Sequence, residues 1–330
     1  MSLEYVSDSL NRLSETLRAS VGAWGFSPGA SLELLNVSEN ATFRLDDGER
    51  RAAIRVHRPD YHGRDEILSE LAWIDALRRE RIVVTPAPIP DQDGELVRAI
   101  TLPDGETRHV VAFEFVPGSE PDSSSDLPRW FRELGALTAR MHRHAQTWQR
   151  PGTFARKTWD FDLMLGMRPI WGAWQDGMGL DASSRDLLGR AVALIRSRLD
   201  RYGSAPDRFG LIHADLRLAN LLVDGDTMRV IDFDDCGFSW FVYDFAAAVS
   251  FFEDDPIIPA LASSWVEGYR TVAPLSAEEE AEIPTFVMLR RILLVAWIAT
   301  HQHTPMGGEA GLRYTAGTLP MAEQYLTRHS

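Results

Sequence analysis

The residues of this chain whose types and spacing can do chemistry are His213, Asp215, Asn220 and Asp232. Leu211-Ile212 reads as the end of an apolar strand, and the next residues as a short loop bearing His213, Asp215 and Asn220. A second apolar strand, Met228 to Ile231, delivers Asp232. Carboxylates and an amide at the ends of two strands can ligate a metal ion through oxygen and take the proton of a hydroxyl. Phosphoryl transfer needs that inventory: a base for the attacking alcohol, oxygen ligands for magnesium, and little covalent chemistry from the protein.

Elements on both sides must position these groups. Leu10, Leu13 and Leu17 share a face of a helix expected over Asp8 to Ala19. Strands follow at Leu32 to Val37, Ala41 to Leu45 and Arg51 to His57, with Asp46-Asp47-Gly48 as a turn. Asp65 to Arg79 has helical periodicity, Thr85 to Pro90 is extended, and Val97 to Leu102 with Val110 to Phe115 form a hairpin. These make a small α/β lobe over residues 1–116. Pro117-Gly118 and the polar run to Asp126 read as a connector. The remainder, 117–330, turns helical at Pro128 to His144, Phe161 to Trp174, Ser183 to Asp200, Pro256 to Tyr269 and Ala277 to His301, with the two chemical strands inside it. The expected fold class is α+β and bilobal, a small mixed-sheet lobe followed by a larger helical one.

Composition narrows the partners. The chain is 45% apolar and 25% charged with a formal charge of −14, which argues against a nucleic-acid backbone as ligand. Cys236 is the single cysteine, so no intramolecular disulfide and no thiolate metal cluster are expected. The N-terminus is acidic and amphipathic, unlike a secretion signal. Phe286 to Thr300 is apolar but broken by Arg290-Arg291 and reads as too short for a bilayer. A cytoplasmic protein with no membrane partner is expected; oligomeric state is not readable.

The marks together resemble the aminoglycoside phosphotransferase and choline kinase family of the protein-kinase-like superfamily, nearest the branch holding homoserine-kinase-like enzymes and the stress-response Ser/Thr kinase. That family's H-G-D-x-x-x-x-N loop is matched by His213-Ala214-Asp215 and Asn220, its I-D-[FW] strand by Ile231-Asp232-Phe233, and its Y-D-[FL]-A mark by Tyr243-Asp244-Phe245-Ala246. Ala214 departs from the usual glycine, a small-for-small change expected to be harmless. The resemblance implies ATP and Mg2+ as cofactors. It implies Asp215 as the base, Asn220 and Asp232 as metal ligands, and His213 as a brace between loop and metal strand. Asp244 would hydrogen-bond the loop backbone; its alternative is an N-cap for a helix over Phe245 to Phe252.

For the nucleotide, Arg55 stands where the family carries a strand lysine, with Glu70 as its acidic partner; the alternative is a surface arginine and a solvated glutamate. Ser38 and Asn40 occupy the first hairpin, where small polar residues can offer backbone N–H groups to phosphate. Adenine is expected against Glu114, Phe115 and Val116 of the connector. Arg217 is a candidate for the γ-phosphate or an anionic acceptor. Asp234 could reach a metal or a cationic acceptor, with a solvated loop acid as the alternative, and Trp159 falls where the family builds its acceptor pocket. His142 is read as packing and capping. The expected activity is transfer of the γ-phosphoryl group to a small-molecule hydroxyl, of an amino alcohol or an aminoglycoside-like compound, because only Phe233 to Tyr243 separates Asp232 from Asp244 and leaves no long activation segment. A Ser/Thr protein kinase and a nucleotide-binding pseudokinase are the alternatives.

Overall fold

The computed structural model describes residues 3–37, 40–121, 126–302 and 309–329. The chain divides into two compact units, Met1–Gly118 with Gln149–Arg156, and Ser119–Trp148 with Lys157–Ser330.

Unit 1 begins with α1 (Leu3–Ser20). Then come β1 (Ser31–Val37), β2 (Ala41–Asp46), β3 (Arg51–Val56), α2 (Arg64–Arg79), β4 (Pro88–Ile89), β5 (Arg98–Thr101) and β6 (Thr107–Glu114). The antiparallel sheet runs β1-β2-β3-β6-β4, with β5 also paired to β6. Side chains alternate across a strand. Ala41, Phe43 and Leu45 of β2 and Ala52, Ile54 and Val56 of β3 therefore bury into one core with Leu13, Leu17, Trp24 and Phe26. Arg55 lies on the other face of β3, flanked in register by Thr42 and Val111. On α2, Ile67, Leu71, Ile74 and Leu77 form the buried stripe, and Asp65, Glu66, Arg78 and Arg79 complement the helix dipole at its two ends. The segment Gln149–Arg156 belongs here because Ala155 N–H donates to Ser69 Oγ (2.9 Å) and Arg156 Nη1 to the Glu66 carbonyl (3.0 Å).

Unit 2 holds α3 (Leu127–Thr147), α4 (Phe161–Met164), α5 (Ala182–Tyr202), β7 (Phe209–Ile212), β8 (Leu221–Asp224), β9 (Thr227–Val230) and β10 (Gly237–Trp240), then α6 (Tyr243–Ala248), α7 (Ile258–Arg270), α8 (Ala277–Thr300) and α9 (Glu309–Arg328). Asp126 caps α3, accepting Arg129 N–H at 3.3 Å, and Ser276 with Glu279 forms a capping box at α8. Helices α3 and α7 meet backbone to backbone: a Cβ on Gly268 would lie 1.8 Å from the Arg132 carbonyl oxygen, and one on Gly135 2.0 Å from that of Trp265.

Several expectations are corrected. The sheet of unit 1 has six strands, since the proline-rich stretch contributes β4 at the edge, where a missing N–H is tolerated. Phe161 to Trp174 is not one helix; α4 stops at Met164 and a 3-10 turn covers Trp174–Asp176. Gly166, Pro169 and Gly172, the last at φ +94°, break it. Helix α9 has no counterpart among the expected elements, because Gly311, Gly317 and Pro320 interrupt its apolar pattern. Helix α8 is not short: its 24 residues would pass for a membrane span by length and composition. However, 78% of its apolar window is buried, as in a core helix.

Candidate active site

Strands β7 and β10 pair antiparallel, Ile212 opposite Gly237, and β8 pairs with β9. These two ladders bring the loop 213–217 beside residues 231–236. Ile231 N–H donates to the Asn220 carbonyl (3.0 Å), which sets Asp232 next to the 3-10 turn Leu218–Asn220. His213 joins the same two segments. Its Nε2 lies 3.2 Å from the Ile231 carbonyl and its Nδ1 accepts the Asp215 N–H at 3.3 Å, an arrangement that selects the neutral Nε2–H tautomer. Asp232 is exposed and sits at φ +60°, and Ala214 at φ +66°. Both are in the left-handed region, where an L side chain costs about 1–2 kcal/mol. The expectation that alanine is harmless at 214 is therefore corrected.

Asp244 holds this strained turn. Its Oδ1 accepts Ala214 N–H at 2.7 Å and its Oδ2 accepts His213 N–H at 3.3 Å. It lies inside α6, whose N-cap is Val242, and α6 ends at Ala248, so the capping alternative is overturned. His142 backs it. Nε2 is 3.0 Å from Asp244 Oδ2, Nδ1 is 3.0 Å from the Tyr269 hydroxyl, and the ring stacks on Phe241. The packing-and-capping role given to His142 is thus too small: it is a buried hydrogen-bonding partner of Asp244.

Asp215 is 15% exposed and enclosed by donors. Asn220 Nδ2 donates to its Oδ2 (2.8 Å) and to its backbone carbonyl (2.8 Å), while Arg217 Nε stands 3.3 Å from Oδ2. Arg290, from α8, donates through Nη2 to Oδ1 at 2.7 Å. Burial pushes the Asp215 carboxyl up, but the charges of Arg217 and Arg290 outweigh it and hold the group below the usual carboxylate range. Arg290 was missed in the sequence. Its signal was there, because an arginine in the most apolar helix can be buried only if paired. Its Nε donates to Ser250 Oγ (3.0 Å) and its Nη1 to the Tyr243 hydroxyl (3.1 Å), and Trp171 lies 5.3 Å from its Cζ.

Of the other residues singled out in this unit, Asp234 is 5% exposed, which corrects the solvated-loop alternative. Trp159 is 1% exposed, and its indole N–H donates to the Asp235 carbonyl (2.8 Å), so it braces the turn after Asp232 from within the core. Its neighbour Trp171, at 5.3 Å between ring centroids, has Arg290 Cζ 5.3 Å from its own ring.

In unit 1, Arg55 Nη2 bridges both oxygens of Glu70, at 2.8 and 2.6 Å, and Glu70 is fully buried. The surface-arginine alternative is overturned. Asn40 is buried and its Oδ1 accepts Arg58 N–H at 3.1 Å, tying the first hairpin to the end of β3. Ser38 lies outside the described residues. Glu114 spends its N–H on the Ala87 carbonyl (2.9 Å), so that donor is committed to backbone, while Phe115 and Val116 follow the strand half-buried.

The donor sets suit a nucleotide and a hard cation. Asn220 turns its amide nitrogen to Asp215, which leaves its oxygen as an acceptor beside the exposed carboxylate of Asp232. Arg55 is a permanent cation held in place by a buried acid.

Comparison with known proteins agrees. The profile of the phosphotransferase enzyme family matches residues 32–275. A solved structure of a microcompartment-associated aminopropanol kinase is 48% identical, covers 94% of this chain and 97% of its own, and superposes with a TM-score of 0.89. Amicoumacin kinase of Bacillus subtilis (strain 168) is 24% identical over 85% of this chain and 83% of its own. A homoserine kinase of Neisseria meningitidis serogroup B is 30% identical over 69% of this chain and 70% of its own. With this match over most of its length, the chain belongs to the phosphotransferase enzyme family and has its protein-kinase-like fold.

Proposed function

We propose that this phosphotransferase moves the γ-phosphoryl group of ATP, with magnesium, to the hydroxyl of a small amino alcohol. The chemistry is carried by Asp215, an ionised carboxylate fixed by Asn220 and Arg290 at the end of β7. The acceptor class is supported by the 48% identity to an aminopropanol kinase.

Each residue then has a task. Asp215 accepts a hydrogen bond from the acceptor hydroxyl, aims its oxygen, and takes its proton as the phosphoryl group arrives. A weak base suffices, because phosphoryl transfer passes through a loose transition state in which the nucleophile is little developed. Asn220 and Asp232 hold magnesium, which when bound neutralises charge on the β- and γ-phosphates. Arg55, steadied by Glu70, binds the α- and β-phosphates, and the backbone of Phe115 and Val116 meets adenine. Arg217 lies close enough to Asp215 to meet the γ-phosphate or the acceptor. Phe233 to Tyr243 is taken up by the turn after Asp232 and by β10, which favours a small molecule over a protein as acceptor.

The test is ATP consumption with magnesium against aminopropanols, homoserine, choline-like amines and aminoglycosides, with Asp215→Asn as the blank. Turnover with an amino alcohol that disappears in the variant supports the proposal. Turnover that survives Asp215→Asn, or that appears only with a protein acceptor, defeats it.

A further inference from the structure

We infer that Arg290 is a positioning residue of the reaction, which locks the Asp215 carboxylate in the orientation that receives the acceptor hydroxyl. The inference rests on the reading of Asp215 given above. It goes further in assigning a task to a residue of α8 that lies beyond the segment matched by the family.

The guanidinium has no freedom to turn. Nε is spent on Ser250 Oγ (3.0 Å), Nη1 on the Tyr243 hydroxyl (3.1 Å) and Nη2 on Asp215 Oδ1 (2.7 Å). Ser250 Oγ in turn donates to the Ala247 carbonyl at 2.7 Å, so the anchor belongs to the segment that begins with Asp244 and α6. Trp171 lies 5.3 Å from Cζ, and Arg290 is 2% exposed. The planar fork therefore aims a single N–H at one carboxylate oxygen, which a lysine ammonium at the same site would not do.

On Asp215 the donors are divided. Oδ2 accepts from Asn220 Nδ2, with the Arg217 guanidinium 3.3 Å away as a charge, and Oδ1 accepts from Arg290 Nη2. A carboxylate has about four lone-pair sites. The hydrogen bonds from Asn220 and Arg290 take one site on each oxygen, and the acceptor hydroxyl meets the site that Arg290 leaves open on Oδ1. A cation beside a base weakens it, so Arg290 is not placed to increase basicity. What it supplies is direction, and misplacement of a reacting group by about 1 Å can cost about 10²-fold in rate.

The experiment uses the full chain with ATP, magnesium and 1-amino-2-propanol. In Arg290→Ala, kcat should fall about 10²-fold. The KM for ATP should stay within about twofold, since no phosphate contact is lost. Added guanidinium ion at non-denaturing concentration should restore part of kcat, and methylammonium should not. Circular dichroism and ATP binding report whether the variant is folded. If it is not, Tyr243→Phe with Ser250→Ala releases two arms of the guanidinium while keeping its charge, and should lower kcat with ATP binding intact. A folded Arg290→Ala with wild-type kcat overturns the inference. So does a loss that guanidinium cannot restore and that raises the KM for ATP in parallel. Asp215→Asn is run alongside: if it remains active, the reading of Asp215 fails, whereas an inactive Asp215→Asn with a normal Arg290→Ala removes Arg290 alone.

Discussion

Asp244 Oδ1 accepts the backbone N–H of Ala214 at 2.7 Å and so holds an alanine at φ +66°, a conformation suited to glycine. One bond from α6 thus stabilises the turn between His213 and Asp215. Ala214→Gly should remove about 1–2 kcal/mol of strain and return about 0.5–1 kcal/mol through the freer unfolded chain. The expected outcome is a protein more stable by about 0.5–1 kcal/mol, read from urea midpoints, with kcat within about twofold. A midpoint lowered by about 0.5–1 kcal/mol, the whole of the added chain entropy, would show that the turn carries no strain.

The Arg55–Glu70 pair makes a second prediction. Removing one member of a buried ion pair leaves the other uncompensated, at about 3–5 kcal/mol. Glu70→Ala should therefore destabilise unit 1 strongly and raise the KM for ATP. Arg55→Lys keeps the charge but loses the planar fork, and should raise that KM about tenfold with little loss of fold. Urea midpoints, read beside steady-state kinetics at saturating acceptor, separate the two.

Helix α7 can tolerate no side chain at Gly268, where a Cβ would lie 1.8 Å from the Arg132 carbonyl oxygen. The obstacle is backbone, so the helices must part. Gly268→Ala should cost about 2–3 kcal/mol, visible as a lower melting temperature. A comparable alanine at Gly29, where nothing lies within 4 Å and φ is not in the left-handed region, should cost less.

Acid should weaken the fold in a defined window. Asp91 is pushed up by burial but held down more strongly by the Glu95 N–H and Arg98, and Asp181 is held down by the Ser184 N–H at the start of α5. A carboxyl whose folded pKa lies below its unfolded value of 3.8 contributes stability above that pH. The contribution is lost as pH falls from about 4 through the folded pKa. Urea midpoints should drop below about pH 4. Asp91→Asn with Asp181→Asn should lessen that drop; an unaltered slope would assign it to other carboxyls.

Magnesium dependence gives the last prediction. If Asn220 and Asp232 hold the cation, Asp232→Ala should abolish turnover and the metal-dependent part of ATP binding, leaving the metal-free part to Arg55. Titration of ATP with magnesium and with EDTA distinguishes these, and equal binding in both would remove Asp232 from the metal site.

The sequence by itself determined the chemistry that local order can carry. His213, Asp215, Asn220 and Asp232 share one short stretch, so their spacing already suggests a loop and a following strand that carry oxygen ligands. The alternation of β2 and β3 and the stripe of α2 show what must face a core. What local order cannot carry is partnership across long separations. Nothing near Arg290 in the chain points to Asp215, 75 residues away, and nothing near His142 points to Asp244, 102 residues away. Those pairings exist because α6 packs against α8 and meets α3, and a buried charge or ring nitrogen must find its complement there. Backbone strain at Ala214 is likewise a tertiary fact: its φ is held by a bond from Asp244 in α6, and the residue's own propensity would have placed it on the other side of zero.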